Sequence, residues 1–226
     1  MSADEERILQ DSFSGMVSLT RDQDIVRDGD HPTQCSLLMD GYVYRYKILP
    51  DGKRQILAFH FRGEIFDTQS FLLDTMDHGV ATLTPATIGV VTHAAMREIT
   101  ERFPRITRAL WKETLAEAAI FRQWLVSVGR RPAYERLAHL ICETYVRSRS
   151  VELGTRLSIP WPFTQIELGD ALGLTPIHIN RTLQALRNDG LIRLQGGVLD
   201  ILDWPGLMQA SEFDTCYLQL RDVVVP

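Results

Sequence analysis

The sequence predicts an α+β protein in which an antiparallel β-domain precedes a long helix and a C-terminal winged helix-turn-helix. Three observations support this fold class. Short alternating runs broken by turn residues fill about the first 100 residues, which is typical of antiparallel strands. Residues 105–128 contain neither proline nor glycine. Two short helical patterns and a β-hairpin pattern then follow between residues 164 and 202.

The β-domain is indicated by alternating segments at 42–49, 54–61 and 87–92. Pro50, Asp51 and Gly52 form a turn between the first two of these segments. Many short strands at this spacing are typical of a barrel or a sandwich. A small barrel either encloses a ligand or is filled by its own side chains, and the sequence leaves both alternatives open.

The long helix is predicted to begin at Phe103 and Pro104 and to end at Val128. Its apolar positions recur at steps of three and four residues, close to the seam of a two-stranded coiled coil. The alternative is an amphipathic helix packed only on its own β-domain. We favour a homodimer, because helix-turn-helix proteins commonly read two half-sites. The predicted dimer interface comprises Leu110, Thr114, Ala118, Phe121, Leu125 and Val128.

A hinge is predicted at residues 129–132, where Gly129 and Pro132 interrupt the helical pattern. A second helix is expected at 133–147. The resulting domain boundaries are a β-domain at 1–102, a dimerisation helix at 103–128, the hinge at 129–132 and a C-terminal domain at 133–226.

The first helix of the helix-turn-helix is expected to begin after Thr164, because threonine is a good N-cap residue. Gly173 supplies the turn, since a residue without Cβ readily adopts a positive φ angle. The predicted apolar side of this helix consists of Ile166, Leu168, Ala171 and Leu172.

The second helix is capped by Thr175, with Pro176 at its first position. Its predicted buried stripe is Ile179, Leu183 and Leu186, and residues 188–190 end it. The opposite face carries Ile177, Arg181 and Gln184, flanked by His178 and Asn180. This pattern predicts a helix that lies in the major groove of DNA. The alternative is a helical hairpin with a solvated polar face.

A β-hairpin is predicted directly after this helix. Two short alternating runs, at 191–195 and 198–202, flank Gly196 and Gly197. A hairpin in this position makes a winged helix, and its tip is placed to contact the sugar-phosphate backbone.

Composition favours a cytoplasmic protein of two modest domains. The chain has 226 residues, 45% of them hydrophobic, and a charged N-terminus without a signal-peptide pattern. No stretch approaches the roughly 20 apolar residues of a membrane helix. The net charge is -5, and from residue 129 onward 10 Arg and no Lys face 11 Asp plus Glu. DNA affinity must therefore come from the local placement of arginine, which suits bidentate contacts to guanine and phosphate.

The sequence points away from enzymes and metal proteins. Cys35, Cys142 and Cys216 are far apart and form no CxxC motif, which argues against a zinc or cysteine-cluster iron–sulfur site. We expect three free thiols, with Cys142 in the core. The chain contains no GxGxxG, Walker, HExxH or GxSxG motif, so we expect no catalytic residues, no metal and no cofactor.

In this order, a β-domain, a long helix, a hinge and a winged helix resemble the Crp/Fnr family of bacterial transcription regulators. The resemblance covers essentially the whole chain and is most specific at 165–192, where the second helix has a His-x-Asn-Arg form. It implies a cyclic-nucleotide-binding-like β-roll or jelly-roll sensor domain, with double-stranded DNA and RNA polymerase as partners. The segments that carry it are 25–30, 37–41, 52–59, 63–65 and 165–192.

Departures from the family pattern argue against cyclic AMP as the effector. The phosphate-binding Gly-Glu and Arg-Ser pairs of cyclic-AMP-binding members appear here as Asp67-Thr68 and His78-Gly79. The pair that meets the adenine appears as Phe121-Arg122. Since one charge-assisted contact is worth roughly 1.5–3 kcal/mol, we expect no detectable cyclic AMP binding. The implied effector pocket thus holds Asp67, Thr68, His78, Phe121 and Arg122.

The resemblance also assigns DNA contacts. Arg181 matches the family's guanine-reading Arg, whereas Ile177 stands where many members have a cytosine-reading Glu, so a thymine methyl is expected there instead. We expect Arg181 to be the main base reader, tuned by Ile177, Asn180 and Gln184. The expected backbone-positioning contacts are Thr164, Gln165, Thr175 and His178.

Regulation is left open by the sequence. The N-terminal cysteine cluster of oxygen-sensing members is absent. Haem binding is a further alternative, and His60, His78 and His93 are the histidines of the β-domain that could serve as ligands. An absorption spectrum of the purified protein tests it. The alternatives are a regulator with an effector other than cyclic AMP, an effector-independent regulator controlled by its abundance, and a ligand-binding or protein-interaction module without selective DNA binding.

Overall fold

The computed structural model describes residues 2–13, 15–155 and 157–220. The chain divides into two compact units. The N-terminal unit comprises Met1–Gly52 and Leu57–Ala118, and the C-terminal unit comprises Lys53–Ile56 and Ala119–Pro226.

The N-terminal unit is built on two antiparallel sheets. It begins with helix α1 (Ala3–Ser12) and ends in helix α2 (His93–Arg102) and the first part of helix α3 (Pro104–Arg130). Its strands are β1 (Met16–Leu19), β2 (Asp24–Val26), β3 (Gln34–Asp40), β4 (Val43–Ile48), β5 (Arg54–His60), β6 (Gly79–Thr82) and β7 (Ala86–Thr92). One sheet has the order β1-β7-β3 and the other β2-β6-β4-β5. The predicted β-roll is confirmed.

A shared core joins the two sheets. Leu38 on β3 and Ile88 on β7 pack in one cluster with Val43 on β4 and Val80 on β6. Because alternate side chains of a strand point to opposite faces, each sheet contributes one apolar face to this cluster. The remaining buried members of the cluster are Val26, Phe66, Met76 and Ala86.

The long helix appears close to its predicted bounds. Helix α3 begins at Pro104, as expected, and continues to Arg130, two residues beyond the predicted end. Gly129 therefore lies in its last turn, and the break falls at Arg131 and Pro132.

The C-terminal unit is helical with one small sheet. Helix α4 (Ala133–Ser150) precedes strand β8 (Ser158–Pro160) and the helices α5 (Gln165–Leu172) and α6 (Pro176–Asn188). Strands β9 (Ile192–Gln195) and β10 (Val198–Ile201) form the predicted hairpin, and helix α7 (Trp204–Ser211) follows. The sheet order β8-β10-β9 adds a third strand that the sequence pattern did not reveal.

One predicted core residue is wrong. Ile166 was expected on the apolar side of α5, but it is 60% exposed, whereas Leu168, Ala171 and Leu172 are buried. The reason is geometric, because at about 100° per residue Ile166 lies about 160° around the helix from Leu168.

Two general properties bear on function. Among the described residues, none of the helices combines the length and the apolar character needed to cross a membrane. Within the same residues, no group of three or more His, Cys, Asp and Glu side chains is arranged to hold a metal ion.

Candidate DNA-binding site

The first helix of the helix-turn-helix is fixed at its N-terminus by a capping box. The hydroxyl of Thr164 accepts a hydrogen bond from the backbone N–H of Glu167 at 3.2 Å. The carboxylate of Glu167 accepts one from the backbone N–H of Thr164 at 2.6 Å. This reciprocal pair satisfies two backbone donors that have no partner within the helix. Thr164 and Gln165 are exposed there, at the N-terminal end of α5, where backbone donors favour anions such as phosphate.

The turn between the two helices depends on two glycines. Gly173 adopts a φ angle of 64°, which confirms the predicted left-handed turn. Gly169 lies where an added Cβ would be 2.5 Å from the carbonyl oxygen of Leu174. The chain after the turn therefore approaches α5 at Gly169 more closely than a side chain there would allow, whereas Gly173 is needed for its positive φ angle.

Helix α6 has the two faces that the sequence predicted. Thr175 caps it by accepting a hydrogen bond from the backbone N–H of His178 at 3.3 Å. Ile179, Leu183 and Leu186 are buried, which confirms the apolar stripe. The opposite face is open to solvent, with Ile177 at 74% exposure and Arg181 and Gln184 also exposed. His178 is exposed and Asn180 is half-buried at the edge of this face.

The exposed face extends further than the sequence prediction. Asn188 follows Ile177, Arg181 and Gln184 at the next helical step and is exposed. Arg187, beside it, is also exposed and donates to the carbonyl oxygen of Leu194 on β9 at 3.5 Å. The helical spacing from Ile177 to Asn188 was the signal that would have identified this extension.

The hairpin carries a paired rather than a free arginine. The Nε of Arg193 lies 2.9 Å from Oδ2 of Asp200 on the neighbouring strand. The hydroxyl of Ser158 donates to Oδ1 of the same carboxylate at 2.7 Å. These hydrogen bonds, that from Ser158 first, lower the pKa of Asp200. The arginine charge on the hairpin is therefore already matched by a carboxylate.

Two contacts hold the helix-turn-helix on α4. The hydroxyl of Tyr134 donates to Oδ2 of Asp189 at 2.6 Å, at the C-terminal end of α6. The guanidinium of Arg136 donates to the carbonyl oxygen of Leu172 at the end of α5 and, at 2.9 Å, to that of Arg131. Arg136 thus links the first helix of the motif to the segment that connects α3 and α4.

A buried carboxylate organises the interior of the C-terminal unit. Glu143 is 1% exposed and accepts hydrogen bonds from Nε1 of Trp124 at 3.0 Å and from the hydroxyl of Tyr217 at 2.8 Å. Arg147 lies 3.3 Å from the same carboxylate. Burial raises the pKa of Glu143, and the nearby charge of Arg147 opposes that rise. Sequence patterns did not reveal this network, because its members are 19 and 74 residues apart.

The expected dimer face of α3 is largely open. Phe121 and Leu125 are 52% and 66% exposed, and Val128 is 38% exposed. Thr114 is exposed and Ala118 is half-buried. Leu110 instead packs against a cluster of the N-terminal unit formed by Cys35, Val91 and Met96. Two large apolar residues that the sequence analysis missed, Trp111 and Leu115, are 66% and 57% exposed on the same helix.

The residues of the implied effector pocket fall in different units. Asp67, Thr68 and His78 belong to the N-terminal unit, and the exposed Phe121 and Arg122 belong to the C-terminal unit. Asp67 is 1% exposed, and its Oδ1 accepts a hydrogen bond from the backbone N–H of Ser36 at 2.6 Å. Burial raises the pKa of Asp67 to about 6.

The interior of the β-roll contains a charged cluster that the sequence analysis did not identify. Arg45 on β4 is 9% exposed and forms an ion pair with Glu117 on α3. His60 on β5 is 3% exposed and lies against the same carboxylate. His78 is buried and contacts Gln69 and Asp77.

The cysteines are free thiols, and Cys35 and Cys142 are buried. Burial raises the pKa of each of these two to about 12. Cys216 is exposed. Cys142 lies in the core, as predicted.

Comparison with known families matches both parts of the chain. Residues 135–210 match the Crp-like helix-turn-helix domain. Residues 16–103 match the cyclic nucleotide-binding domain.

Individual relatives are regulators. A "Probable transcriptional activator" of Rhizobium leguminosarum bv. viciae is 26% identical over 172 residues, which cover 76% of this chain and 70% of that protein. The nitrogen fixation regulation protein FixK of Rhizobium meliloti strain 1021 is 28% identical over 189 residues, covering 80% and 79%. The solved structure of FixK2 from Bradyrhizobium japonicum has a TM-score of 0.79 at 23% identity, covering 88% of this chain and 98% of that one.

Proposed function

The chain belongs to the Crp/Fnr family of bacterial transcription regulators, and we propose that it acts in the cytoplasm as a homodimer that reads a palindromic DNA operator. The relatives named above are a transcriptional activator and a regulation protein, which supports a regulatory role.

The observation that carries the proposal is the two-sided character of α6. Ile179, Leu183 and Leu186 anchor one side in the core, which leaves Ile177 and Arg181 projecting on the other. A helix held in this way presents a fixed row of side chains, and the major groove of DNA is wide enough to admit it. Burial on one side also explains the motif's fixed geometry, because each apolar residue of the stripe contributes roughly 1.5–3 kcal/mol.

We assign roles along this helix by chemistry. Arg181 has the planar donor pair that suits O6 and N7 of guanine, and Ile177 offers an apolar surface to a thymine methyl. Asn180 and Gln184 adjust base preference from the flanks. Thr164, Gln165, Thr175 and His178 lie at the N-terminal ends of the two helices, and we assign them to the sugar-phosphate backbone.

Dimerisation through α3 explains how two such helices reach one operator. Two half-sites of a palindrome lie about 34 Å apart when they occupy successive turns of one DNA face. Phe121 and Leu125 give α3 an exposed apolar stripe that a second copy would cover. A monomer would leave this stripe in water.

Regulation is proposed to pass through the β-roll, and RNA polymerase is the expected protein partner of a bound activator. A signal in the β-roll would shift the population of dimers whose recognition helices match the operator, with the segment at 129–132 as the hinge. An effector other than cyclic AMP is one source of that signal. A second candidate, an effector-independent regulator, is favoured by the Arg45–Glu117 ion pair, which already supplies a carboxylate to the buried cation.

The test is selection of binding sites from a random DNA library by the purified protein at fixed salt concentration. Enrichment of a two-fold symmetric sequence supports the proposal. Enrichment that appears only with a cell extract points to an effector. Failure of both would favour a module without selective DNA binding. Fixed salt matters, because phosphate contacts make affinity strongly salt-dependent.

A further inference from the structure

The interior of the β-roll contains a buried cation that is neutralised from within the chain. Arg45 lies on β4, and its Nε donates to the carbonyl oxygen of Phe66 at 2.9 Å. Its Nη1 forms an ion pair with Oε1 of Glu117. An arginine side chain that is only 11% exposed needs such a partner, because an unpaired charge in the interior is costly.

A second polar group faces the same carboxylate. The Nε2 of His60 lies 3.8 Å from Oε1 of Glu117 and, among the described residues, has no hydrogen-bond partner. The other ring nitrogen, Nδ1, is 2.9 Å from Oε2 of Glu64. His60 is 3% exposed, so it presents a buried ring nitrogen towards the position that Glu117 occupies.

The carboxylate comes from a helix rather than from a strand of the β-roll. Glu117 lies on α3, and its side chain keeps 35% exposure while its Oε1 reaches Arg45. The ion pair therefore joins the cation inside the β-roll to the helix that carries the expected dimer face. Whatever carboxylate or phosphate reached Arg45 from solution would have to displace Glu117.

We propose that Glu117 is a built-in ligand of the β-roll, and that its carboxylate, paired with Arg45 and facing His60, replaces a small anionic effector. The β-roll then holds α3 without an anion from solution. The consequence for regulation rests on the proposed function, whereas the occupancy of Arg45 by Glu117 does not.

Chemical rescue tests this assignment. Glu117→Ala removes the carboxylate and leaves space beside Arg45, so the thermal unfolding midpoint should fall by about 5 °C. Acetate, added in place of chloride at constant ionic strength, should restore part of that loss along a saturable curve. Inorganic phosphate is the second probe, since a guanidinium binds either anion.

Two controls separate rescue from a general salt effect. Glu101→Ala makes the same change at an exposed site on α2, and its midpoint should not respond to acetate. The double variant Arg45→Met with Glu117→Ala lacks the cation, so acetate should not rescue it. Equal effects of acetate on the wild type, both Ala variants and the double variant would overturn the proposal.

A third variant covers the case in which Glu117→Ala does not fold. Glu117→Gln keeps the shape but not the charge, so it should lower the midpoint and gain nothing from acetate. A midpoint equal to that of the wild type would refute the role of Glu117. Because unfolding is measured without DNA, this result does not depend on whether the protein binds DNA selectively. If the proposed function holds, acetate should also restore operator affinity in Glu117→Ala.

Discussion

The indole Nε1 of Trp124 donates a hydrogen bond to Oε1 of Glu143 across 3.0 Å, inside the C-terminal unit. Trp124 lies on α3 and Glu143 on α4, and they are 8% and 1% exposed. The hydroxyl of Tyr217 donates to the other oxygen of the same carboxylate at 2.8 Å. A hydrogen bond therefore connects the last turns of α3 to α4, the helix that supports the helix-turn-helix. It spans the break at residues 131 and 132.

Trp124→Phe and Tyr217→Phe should each destabilise the protein by about 1–3 kcal/mol, because each leaves a buried carboxylate with one donor fewer. The double variant should lose less stability than the sum of the two single losses. Both donors bind Glu143, and the effects of residues that share a partner are not additive. Urea unfolding followed by circular dichroism measures all three. Tyr46→Phe, which removes an exposed hydrogen bond to Asp24, is the control. If the two losses in the free energy of unfolding were additive, the carboxylate would not couple the two donors.

His139 should make the C-terminal unit sensitive to acid. Burial, followed by the charge of Arg131, lowers the pKa of His139 to about 3. In the unfolded chain the pKa of this histidine is about 6.5, so the unfolded chain takes up a proton that the folded protein does not, and stability is lost as the pH falls from there towards 3. The free energy of unfolding of the wild type minus that of His139→Phe should therefore fall by up to about 1.4 kcal/mol per pH unit.

Measurement of both proteins across this pH range isolates the histidine. Glu143 has a raised pKa and contributes with the opposite sign, but it is present in both proteins and cancels in the difference. The ring of His139 packs edge-on against Phe213 at 5.2 Å, and phenylalanine preserves this contact. A difference that does not change with pH would show that His139 is protonated in the folded protein.

Leu125→Glu should prevent formation of the dimer that we propose. The side chain is 66% exposed in one chain, so the substitution is tolerated there, but in a helical seam it would bury a charge. We expect the dimer dissociation constant to rise on the order of 100-fold, as measured by sedimentation velocity. Leu202→Glu, at a 51% exposed leucine outside α3, should leave the mass unchanged. A Leu125→Glu dimer as tight as the wild type would place the interface elsewhere.

Ile177→Glu should change base preference rather than abolish binding. A carboxylate accepts from the amino group of cytosine, whereas isoleucine packs on a thymine methyl, so the preferred base should shift by about 1–3 kcal/mol. Binding titrations on operators that differ only at that base pair measure the shift. Ile166→Glu adds the same charge at a 60% exposed position on α5 and should weaken all sequences alike. Identical base preferences for the two variants would show that Ile177 does not read a base.

Sequence patterns predicted those parts of the fold whose signals are local. Thr175 and Pro176 mark the start of α6 within adjacent residues, and Gly173 marks the turn before it. The capping box of Ser2 and Glu5 at the start of α1 was an equally local signal that went unused. The prediction for Ile166 was wrong because its apolar character does not reveal that it lies on the solvent side of α5.

The buried charges could not be predicted in the same way. Arg45 and Glu117 are far apart in sequence, and nothing around either residue distinguishes it from a solvated charge until the fold brings them together. The same holds for Trp124, Glu143 and Tyr217. The predicted effector pocket was transferred from a family pattern, and Asp67 proved to be held by the backbone of Ser36. Long-range pairing is therefore what the structure adds to the sequence.

The central claim is that the exposed face of α6 reads DNA sequence, and the most direct test is the affinity of Arg181→Ala for selected and scrambled DNA. The wild type should prefer the selected site by at least about 1,000-fold at fixed salt. Loss of a bidentate guanine contact should reduce that preference by about 5- to 150-fold per half-site, with little change on scrambled DNA. An equal loss of affinity on both sequences would contradict base reading and reduce Arg181 to a phosphate contact.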